Sequence, residues 1–310
     1  MRIVVPDLIT NSYFPALAAE ELGLFQAEGL DAHVELLTPA PKAVSALRDG
    51  SVDAVATGSH MAPQAFPNWQ GAKLIVALSQ GTPWLLVLRA DLGVARGDLQ
   101  AIKGLRIGAA PGPESALRRL LAEAGIDPLQ DQIQISQVPG ADAPDVSFGI
   151  LAAQALEAGQ LDGFWANALG SETAVRRGVG AIIVDVRRGD GPPSAKNFTF
   201  SALLTTDTLI ERHPEQVAAA VRGIIRAQQV LRTDPTQATI VGQRRFPPDA
   251  AALIATLVER DLPFYDPVIS EYSVNMTNRF AQALGFLDTL VPYEQVVATQ
   301  FRHLWHAAAE

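Results

Sequence analysis

The 310-residue sequence contains no cysteine. This absence excludes thiolate catalysis, thiolate-ligated metal sites and disulfide bonds. Long hydrophobic runs are also missing, because apolar stretches such as residues 74–78 and 84–88 fall far short of the ~20 residues that a membrane-spanning helix needs. We therefore predict no membrane span, and any chemistry must proceed without a thiol.

Basic residues are few and scattered. The 24 Lys and Arg residues are outnumbered by 33 Asp and Glu residues, which gives a formal net charge of −9. Nucleic-acid binding requires a dense basic surface, and the sequence has only short doublets such as Arg118-Arg119. We therefore predict no nucleic-acid partner. Hydrophobic cores stop growing at about 250–300 residues, so the length favours two lobes.

One motif occurs twice, at residues 46–55 and 155–164. In each copy a helical pattern ends at a glycine, an aspartate follows three residues later, and an apolar strand then leads into a polar loop. Glycine can take the left-handed conformation that ends a helix. The repeat predicts two consecutive α/β units, whose ligand-binding loops follow the carboxyl ends of parallel strands. We expect these loops to face each other across a cleft.

The remaining pattern divides the chain. Apolar strands at residues 2–6 and 106–110 begin the two repeats, and residues 187–197 form a connection rich in turn-forming residues. Beyond it the sequence is almost entirely helical, and such a tail must pack on the first α/β layer. The predicted lobes are residues 1–86 plus 200–310 and residues 87–199, joined by two crossings that form a hinge. The tail helices are predicted to begin at Asp207, Pro214, Pro248, Ser270 and Pro292.

Several segments resemble the substrate-binding proteins of ABC importers for sulfonates, nitrate, taurine and pyrimidine thiamine precursors. The resemblance covers essentially the whole chain in order, and its clearest segments are residues 12–25, 28–31, 46–53, 103–108 and 125–127. It implies an α/β fold of the type II periplasmic binding protein, with two lobes, mostly parallel sheets flanked by helices and a ligand between the lobes. The same superfamily includes a pyrimidine-precursor synthase with a cysteine-rich segment and a desulfinase with a nucleophilic cysteine. The absence of cysteine argues against both activities.

Polar residues after the first and third strands of the first lobe are candidate ligand contacts. Asn11, Ser12 and Tyr13 precede a helix, where backbone N–H groups and the helix dipole favour an anionic group. Tyr13 could stack on a planar ligand. Ser59 and His60 follow the third strand, and His60 could donate a hydrogen bond to a carboxylate or sulfonate. The alternatives are that Asn11 or Ser12 caps the helix while Tyr13 packs in the core, and that His60 is a structural or solvated histidine.

Aromatic and amide residues lie at equivalent positions elsewhere. Gln80 and Trp84 lie beside the first predicted crossing, and Trp84 either holds a planar ligand or packs in the core. Trp165 and Asn167 end the second copy of the motif, so they are the counterparts of the pair after the third strand. A buried Trp and Asn both need hydrogen-bond partners, which a ligand could supply.

The turn into the first helix of the second lobe offers three further candidates. Gly112 permits close approach of a ligand to the backbone, Ser115 offers a hydroxyl, and Glu114 either selects a cationic group or is a favourable first-turn carboxylate. No arginine is a candidate, which argues against a strongly anionic ligand held in a bidentate manner. His303 and His306 lack a third ligand, so we predict no metal site and no cofactor.

Two functions remain open. The first is a solute-binding component of an ABC importer, a monomer that closes around a small organic acid, sulfonate or pyrimidine-like ligand and presents it to a permease. The second is a cytoplasmic enzyme or sensor on the same fold that acts on a small aromatic or pyrimidine compound, the enzyme using His60 as acid or base. The sequence shows no nucleophile–base pair, so we predict a binding protein and not an enzyme. It is periplasmic if a signal peptide is missing before Met1 and cytoplasmic if Met1 is the native start.

Overall fold

The structure is a computed structural model, which describes residues 1–8, 10–138, 140–141 and 147–306. The chain forms two compact units, here called the first unit (Met1–Gly81 and Phe198–Glu310) and the second unit (Thr82–Asn197). From the sequence pattern, the same divisions are expected at residues 86–87 and 199–200. The first division lies earlier than expected because the whole strand that contains Leu86 pairs within the sheet of the second unit.

The first unit contains a five-stranded sheet within the described residues. Its order is β2-β1-β3-β10-β4, and β10, which follows the second connection, is antiparallel to both of its neighbours. The strands are β1 (Arg2–Val5), β2 (His33–Leu36), β3 (Ala54–Gly58), β4 (Ala72–Ser79) and β10 (Ser201–Thr206). Strands β3, β4 and β10 are almost continuously buried, as expected for strands covered by helices on both faces.

The second unit repeats this architecture. Its sheet has the order β7-β6-β8-β5-β9, again with five strands in the described part of the chain. The strands are β5 (Leu85–Arg89), β6 (Arg106–Ala109), β7 (Gln134–Ser136), β8 (Gly163–Ala166) and β9 (Gly180–Asp185). The helices are α4 (Pro113–Glu123), α5 (Phe148–Glu157) and α6 (Ala168–Arg176).

Both sheets are mixed, whereas the sequence pattern predicts mostly parallel pairing. In each sheet two strand pairs are parallel and two are antiparallel. The parallel pairs belong to the strand–helix–strand units that the alternating pattern predicts. The antiparallel pairs arise from β5 and β10, which enter their sheets directly from the connections between units, without a crossover helix.

The repeated Gly–Asp motif has the same structural role in both units. Gly50 and Gly159 have φ values of +72° and +69°, which confirms the predicted left-handed helix ends. The aspartate that follows then fixes the start of the neighbouring strand. Asp53 accepts a hydrogen bond from the backbone N–H of Arg2 at 2.6 Å, and Asp162 accepts one from that of Arg106 at 3.0 Å. The motif therefore sets the register of the central parallel strands.

The carboxyl-terminal third is helical, as predicted, and it belongs to the first unit. The predicted helix starts agree with the structure because their signals are local: proline occupies the first positions of α8 and α10, and Ser270 caps α11. The Ser270 Oγ accepts a hydrogen bond from the N–H of Ser273 at 3.0 Å. The unpredicted helix is α9. The helices of this unit are α1 (Phe14–Glu21), α2 (Leu24–Ala27), α3 (Ala40–Arg48), α7 (Asp207–Arg212), α8 (Pro214–Thr233), α9 (Gln237–Arg245), α10 (Pro248–Asp261), α11 (Glu271–Ala283) and α12 (Tyr293–Val296).

Helix α8 forms the main contact between this helical block and the sheet. Its buried face includes Val221 and Ile224, and the Gln228 side chain donates hydrogen bonds to the carbonyls of Ala77 and Leu78 at 3.0 and 2.9 Å. The block is thus attached to strand β4 by both apolar burial and hydrogen bonds. Among the helices of the described ranges, none has the length and apolar character needed to cross a bilayer.

Candidate functional site

The first unit holds the predicted pair Ser59 and His60 at the carboxyl end of β3, where a short 3₁₀ helix (Ser59–Gln64) begins. Both side chains are buried, and His60 is only 2% exposed. The His60 Nδ1 lies 2.9 Å from the Thr199 Oγ1, and the Ser59 Oγ lies 3.2 Å from the same hydroxyl. Ser59 Oγ is also 2.8 Å from Thr277 Oγ1. These four side chains, which we call the hydroxyl cluster, form one continuous hydrogen-bonded group.

Burial governs the charge of His60. Removal of the imidazole from water disfavours its protonated form and lowers the pKa of His60 from 6.5 to about 3. At neutral pH the ring is therefore uncharged and acts as a hydrogen-bonding group. An imidazole with so low a pKa is a weak base, because efficient general bases have pKa values close to the operating pH.

The loop after β1 is held by the carboxyl-terminal helices. The Asn11 amide donates a hydrogen bond to the buried carboxylate of Asp261, and the Tyr265 hydroxyl donates to the Asn11 carbonyl at 2.7 Å. Ser12 is fully buried, and Tyr13 is half-buried against the core at the start of α1. The expectation of free N–H groups here is not met for two of them, since Tyr13 donates to Thr10 and Phe14 to Asn11.

Gln80 has a structural position in the first unit. Its side-chain amide donates hydrogen bonds to the carbonyls of Asp266 and Val268 at 2.9 and 2.7 Å, and its backbone N–H donates to Phe264 at 2.8 Å. The residue therefore anchors the segment between α10 and α11 at the end of β4. These contacts account for its polar character without a ligand.

In the second unit, Trp84 and Trp165 lie together. Their ring centroids are 6.1 Å apart with an interplanar angle of 44°, a tilted arrangement that is favourable for aromatic pairs. Trp84 is half-buried, whereas Trp165 is 1% exposed. The Trp165 Nε1–H is a buried donor without an acceptor. Few buried side chains in the described residues have such an unpaired polar atom.

Asn167 caps a helix next to this pair. Its side-chain oxygen accepts a hydrogen bond from the N–H of Gly170 at 3.3 Å, at the N-terminus of α6. The cap explains an amide at this strand end in structural terms. Of the two side chains expected to need a hydrogen-bond partner from a ligand, only Trp165 has a donor without an acceptor.

The turn into α4 uses its own polar groups. Gly112 has a φ of +94°, which favours glycine, and a Cβ at this position would contact nothing within 4 Å. The Ser115 hydroxyl donates to the Gly112 carbonyl, while the Glu114 carboxylate accepts a hydrogen bond from Arg118 Nε at 2.8 Å, one helical turn away. Glu114 thus has a cationic partner on its own helix.

Three further buried polar residues, Thr199, Asp261 and Arg187, are not predicted from the sequence. Thr199 and Asp261 contact predicted residues from sequence separations of 139 and 250. Arg187, which the sequence shows only as half of a basic doublet, is 2% exposed and follows β9. Their one sequence signal is a polar or charged residue at the end of an apolar strand or helix. No group of three His, Asp or Glu side chains in the described residues is arranged to hold a metal ion.

Comparison with known proteins identifies the family. A model described as the NMT1-like family matches residues 9–244, most of the chain. The protein belongs to the NMT1-like family. No curated protein sequence matches this NMT1-like chain significantly.

Solved structures show the fold of this NMT1-like protein. It is similar to the nitrate-binding protein NrtA of Synechocystis PCC 6803, at 14% identity and a TM-score of 0.70, over 99% of this chain and 88% of that one. It is also similar to the alkanesulfonate-binding protein SsuA of Xanthomonas axonopodis pv. citri, solved with MOPS, at 17% identity and a TM-score of 0.68, over 96% and 97% of the two chains. The fold is that of the type II periplasmic binding proteins, as predicted.

An enzyme has the same fold. The desulfurization enzyme DSZB is similar at 16% identity and a TM-score of 0.66, over 97% of each chain. The fold of the NMT1-like chain is therefore compatible with both binding and catalysis, and function must be argued from the residues.

Proposed function

We propose that this protein is the solute-binding component of an ABC importer, which binds a small organic ligand reversibly and leaves it chemically unchanged. Family membership and the fold shared with nitrate- and sulfonate-binding proteins support the proposal. The absence of cysteine supports it further, because the chain lacks the nucleophile on which thiol chemistry depends. The ligand classes under this proposal are a small organic acid, a sulfonate and a pyrimidine-like compound.

The buried Nε1–H of Trp165 carries the proposal. A buried donor without an acceptor costs roughly 1–3 kcal/mol, so a protein keeps such a group only where something offsets the cost. A ligand oxygen or ring nitrogen that accepts this hydrogen bond would recover the cost on binding. The adjacent Trp84 ring offers a flat apolar surface for the body of the same ligand.

The competing function is an enzyme that uses His60 as acid or base. The low pKa of His60, about 3, leaves the ring uncharged at neutral pH and makes it a poor proton acceptor. The contacts of His60 and Ser59 with threonine hydroxyls fit a neutral hydrogen-bonding surface better than a proton-transfer site. These observations favour binding over turnover.

A thermal-shift screen with ethanesulfonate, benzoate and cytosine tests the proposal, one probe for each ligand class. The probe that raises the melting temperature most is then titrated by calorimetry against wild-type protein and Trp165→Phe. Phenylalanine keeps an aromatic ring but removes the donor, so the dissociation constant should rise roughly three- to tenfold. Trp69→Phe is the matched control, since the Trp69 Nε1 already donates to Asn278 at 3.1 Å.

The result would count against the proposal if no probe bound, or if Trp165→Phe and Trp69→Phe had equal effects on affinity. The wider role implies a membrane permease as partner and a periplasmic location. Fractionation of the source cells tests the location, and co-purification with a permease tests the partnership. Light scattering of the purified protein tests the expected monomer.

A further inference from the structure

The His60 ring is enclosed by two residues that are distant in the sequence and by the backbone just before it. Thr199 holds its Nδ1 at 2.9 Å, and the ring of Phe280 lies 5.1 Å away, centroid to centroid, at an angle of 55°. On a third side is the backbone of Gly58, where a Cβ would lie only 3.0 Å from the imidazole. The ring therefore has little freedom to rotate.

Thr199 is also fixed in place. Its hydroxyl lies 3.2 Å from the Ser59 Oγ, which in turn lies 2.8 Å from that of Thr277 in α11. The neighbouring Phe198 stacks on Phe280 with centroids 4.6 Å apart and planes within 4° of parallel. Residue 198 is the first residue of the first unit after the connection from the second. The position of Thr199 thus depends on both the hydroxyl cluster and the aromatic stack.

We propose that Thr199 is a positioning residue, which holds the His60 imidazole in a single tautomer and orientation for contact with the ligand. A neutral imidazole has one donor and one acceptor nitrogen, and the hydrogen bond at one nitrogen fixes the role of the other. The Thr199 hydroxyl donates to the Phe200 carbonyl at 3.4 Å, which leaves its oxygen to accept from Nδ1–H at 2.9 Å. In that arrangement the proton is on Nδ1 and Nε2 is an acceptor. This inference rests on the proposed function for its ligand, but its structural content stands separately.

The tautomer is measured by ¹⁵N NMR of the histidine rings in the full-length protein. In the wild type, the two ring nitrogens of His60 should have well-separated shifts, typical of one neutral tautomer, throughout pH 5–8. Thr199→Val removes the hydroxyl but keeps the side-chain shape, and it should move both shifts toward their average. Thr199→Ser restores the hydroxyl and should restore the separation.

Thr205→Val is the matched control. Thr205 is a fully buried threonine on β10, the strand that begins two residues after Thr199, and its hydroxyl donates to the Asp53 carbonyl at 2.6 Å. Its loss should lower stability without a change in the His60 shifts. Mixed tautomers in the wild type, or His60 shifts in Thr199→Val that match the wild type, would overturn the proposal. If Thr199→Val fails to fold, Thr199→Ala, which also lacks the hydroxyl, replaces it, and wild-type shifts for His60 in that variant would likewise overturn the proposal.

Affinity provides the second readout. For whichever of ethanesulfonate, benzoate and cytosine binds the wild type most tightly, Thr199→Val should weaken binding about five- to tenfold, and Thr205→Val should not. Equal affinities of Thr199→Val and the wild type would overturn the role in ligand contact. If none of the three probes binds the wild type, the proposed function fails, and the NMR result still decides whether Thr199 positions His60.

Discussion

The burial of His60 predicts a specific dependence of stability on pH. Its pKa is about 3 in the folded protein, against an ordinary value of 6.5. Between these values the unfolded chain binds a proton on this histidine and the folded protein does not. The contribution of His60 to the unfolding free energy is therefore fully present above about pH 6.5 and is lost progressively as the pH falls toward 3.

The magnitude follows from the two pKa values. Each pH unit within this window costs about 1.4 kcal/mol for a single group, so a change from pH 7 to pH 4.5 should remove about 2–3 kcal/mol of the unfolding free energy. Other groups titrate in the same range, and a variant isolates the share of His60. His60→Gln keeps a hydrogen-bonding group beside Thr199 but cannot be protonated.

The assay is urea unfolding at pH 7 and pH 4.5. The stability of the wild type relative to His60→Gln should fall by about 2–3 kcal/mol between the two pH values. His303→Gln, the same change at an exposed histidine in the 3₁₀ helix Thr299–Trp305, is the control for replacing an imidazole with an amide outside the core. Equal pH dependence of the wild type and His60→Gln would show that the imidazole is accessible to water in the folded protein.

Three further predictions concern stability. Trp165→Phe should lower the unfolding free energy by about 1–2 kcal/mol less than Trp69→Phe, as measured by urea unfolding. The reason is that the Trp165 change removes a donor without a partner, whereas the Trp69 change breaks a hydrogen bond. Asp162→Asn should lower the unfolding free energy by about 1–3 kcal/mol, because this carboxylate fixes the start of β6 and the Arg106 side chain lowers its pKa to about 2. A loss no larger than that of an exposed change, such as Asp49→Asn, would contradict this. Gly58→Ala should cost about 1–3 kcal/mol in thermal unfolding, because its methyl group would displace the buried imidazole; an unchanged melting temperature would disprove the close contact.

Local patterns in the sequence predict much of the fold. The glycine that ends each repeated helix and the aspartate that follows it act on neighbouring residues, and both roles are present in the structure. Helix starts at proline or serine are equally local. The order of strands in the sheets is different, because nothing near β10 specifies that it inserts between β3 and β4 in the antiparallel direction.

The candidate site shows the same limit. The motif draws attention to Ser59, His60 and Trp165, and all three side chains are buried in or directly after the last residues of a strand. Their partners depend on tertiary packing, as the contact between His60 and Thr199 across 139 residues shows. Asn11 looks the same in the sequence, yet a carboxylate 250 residues away already binds its amide. Whether these residues contact a ligand stays a prediction.

The central claim is that the protein binds a small organic compound and releases it unchanged. The most direct measurement is calorimetric titration of the wild type with the best of the three probes, followed by mass spectrometry of the recovered compound after long incubation. We expect saturable binding at one compound per chain and recovery of the same mass. A steadily accumulating product that is lost in His60→Gln would contradict it and assign the protein to the enzymes of this fold.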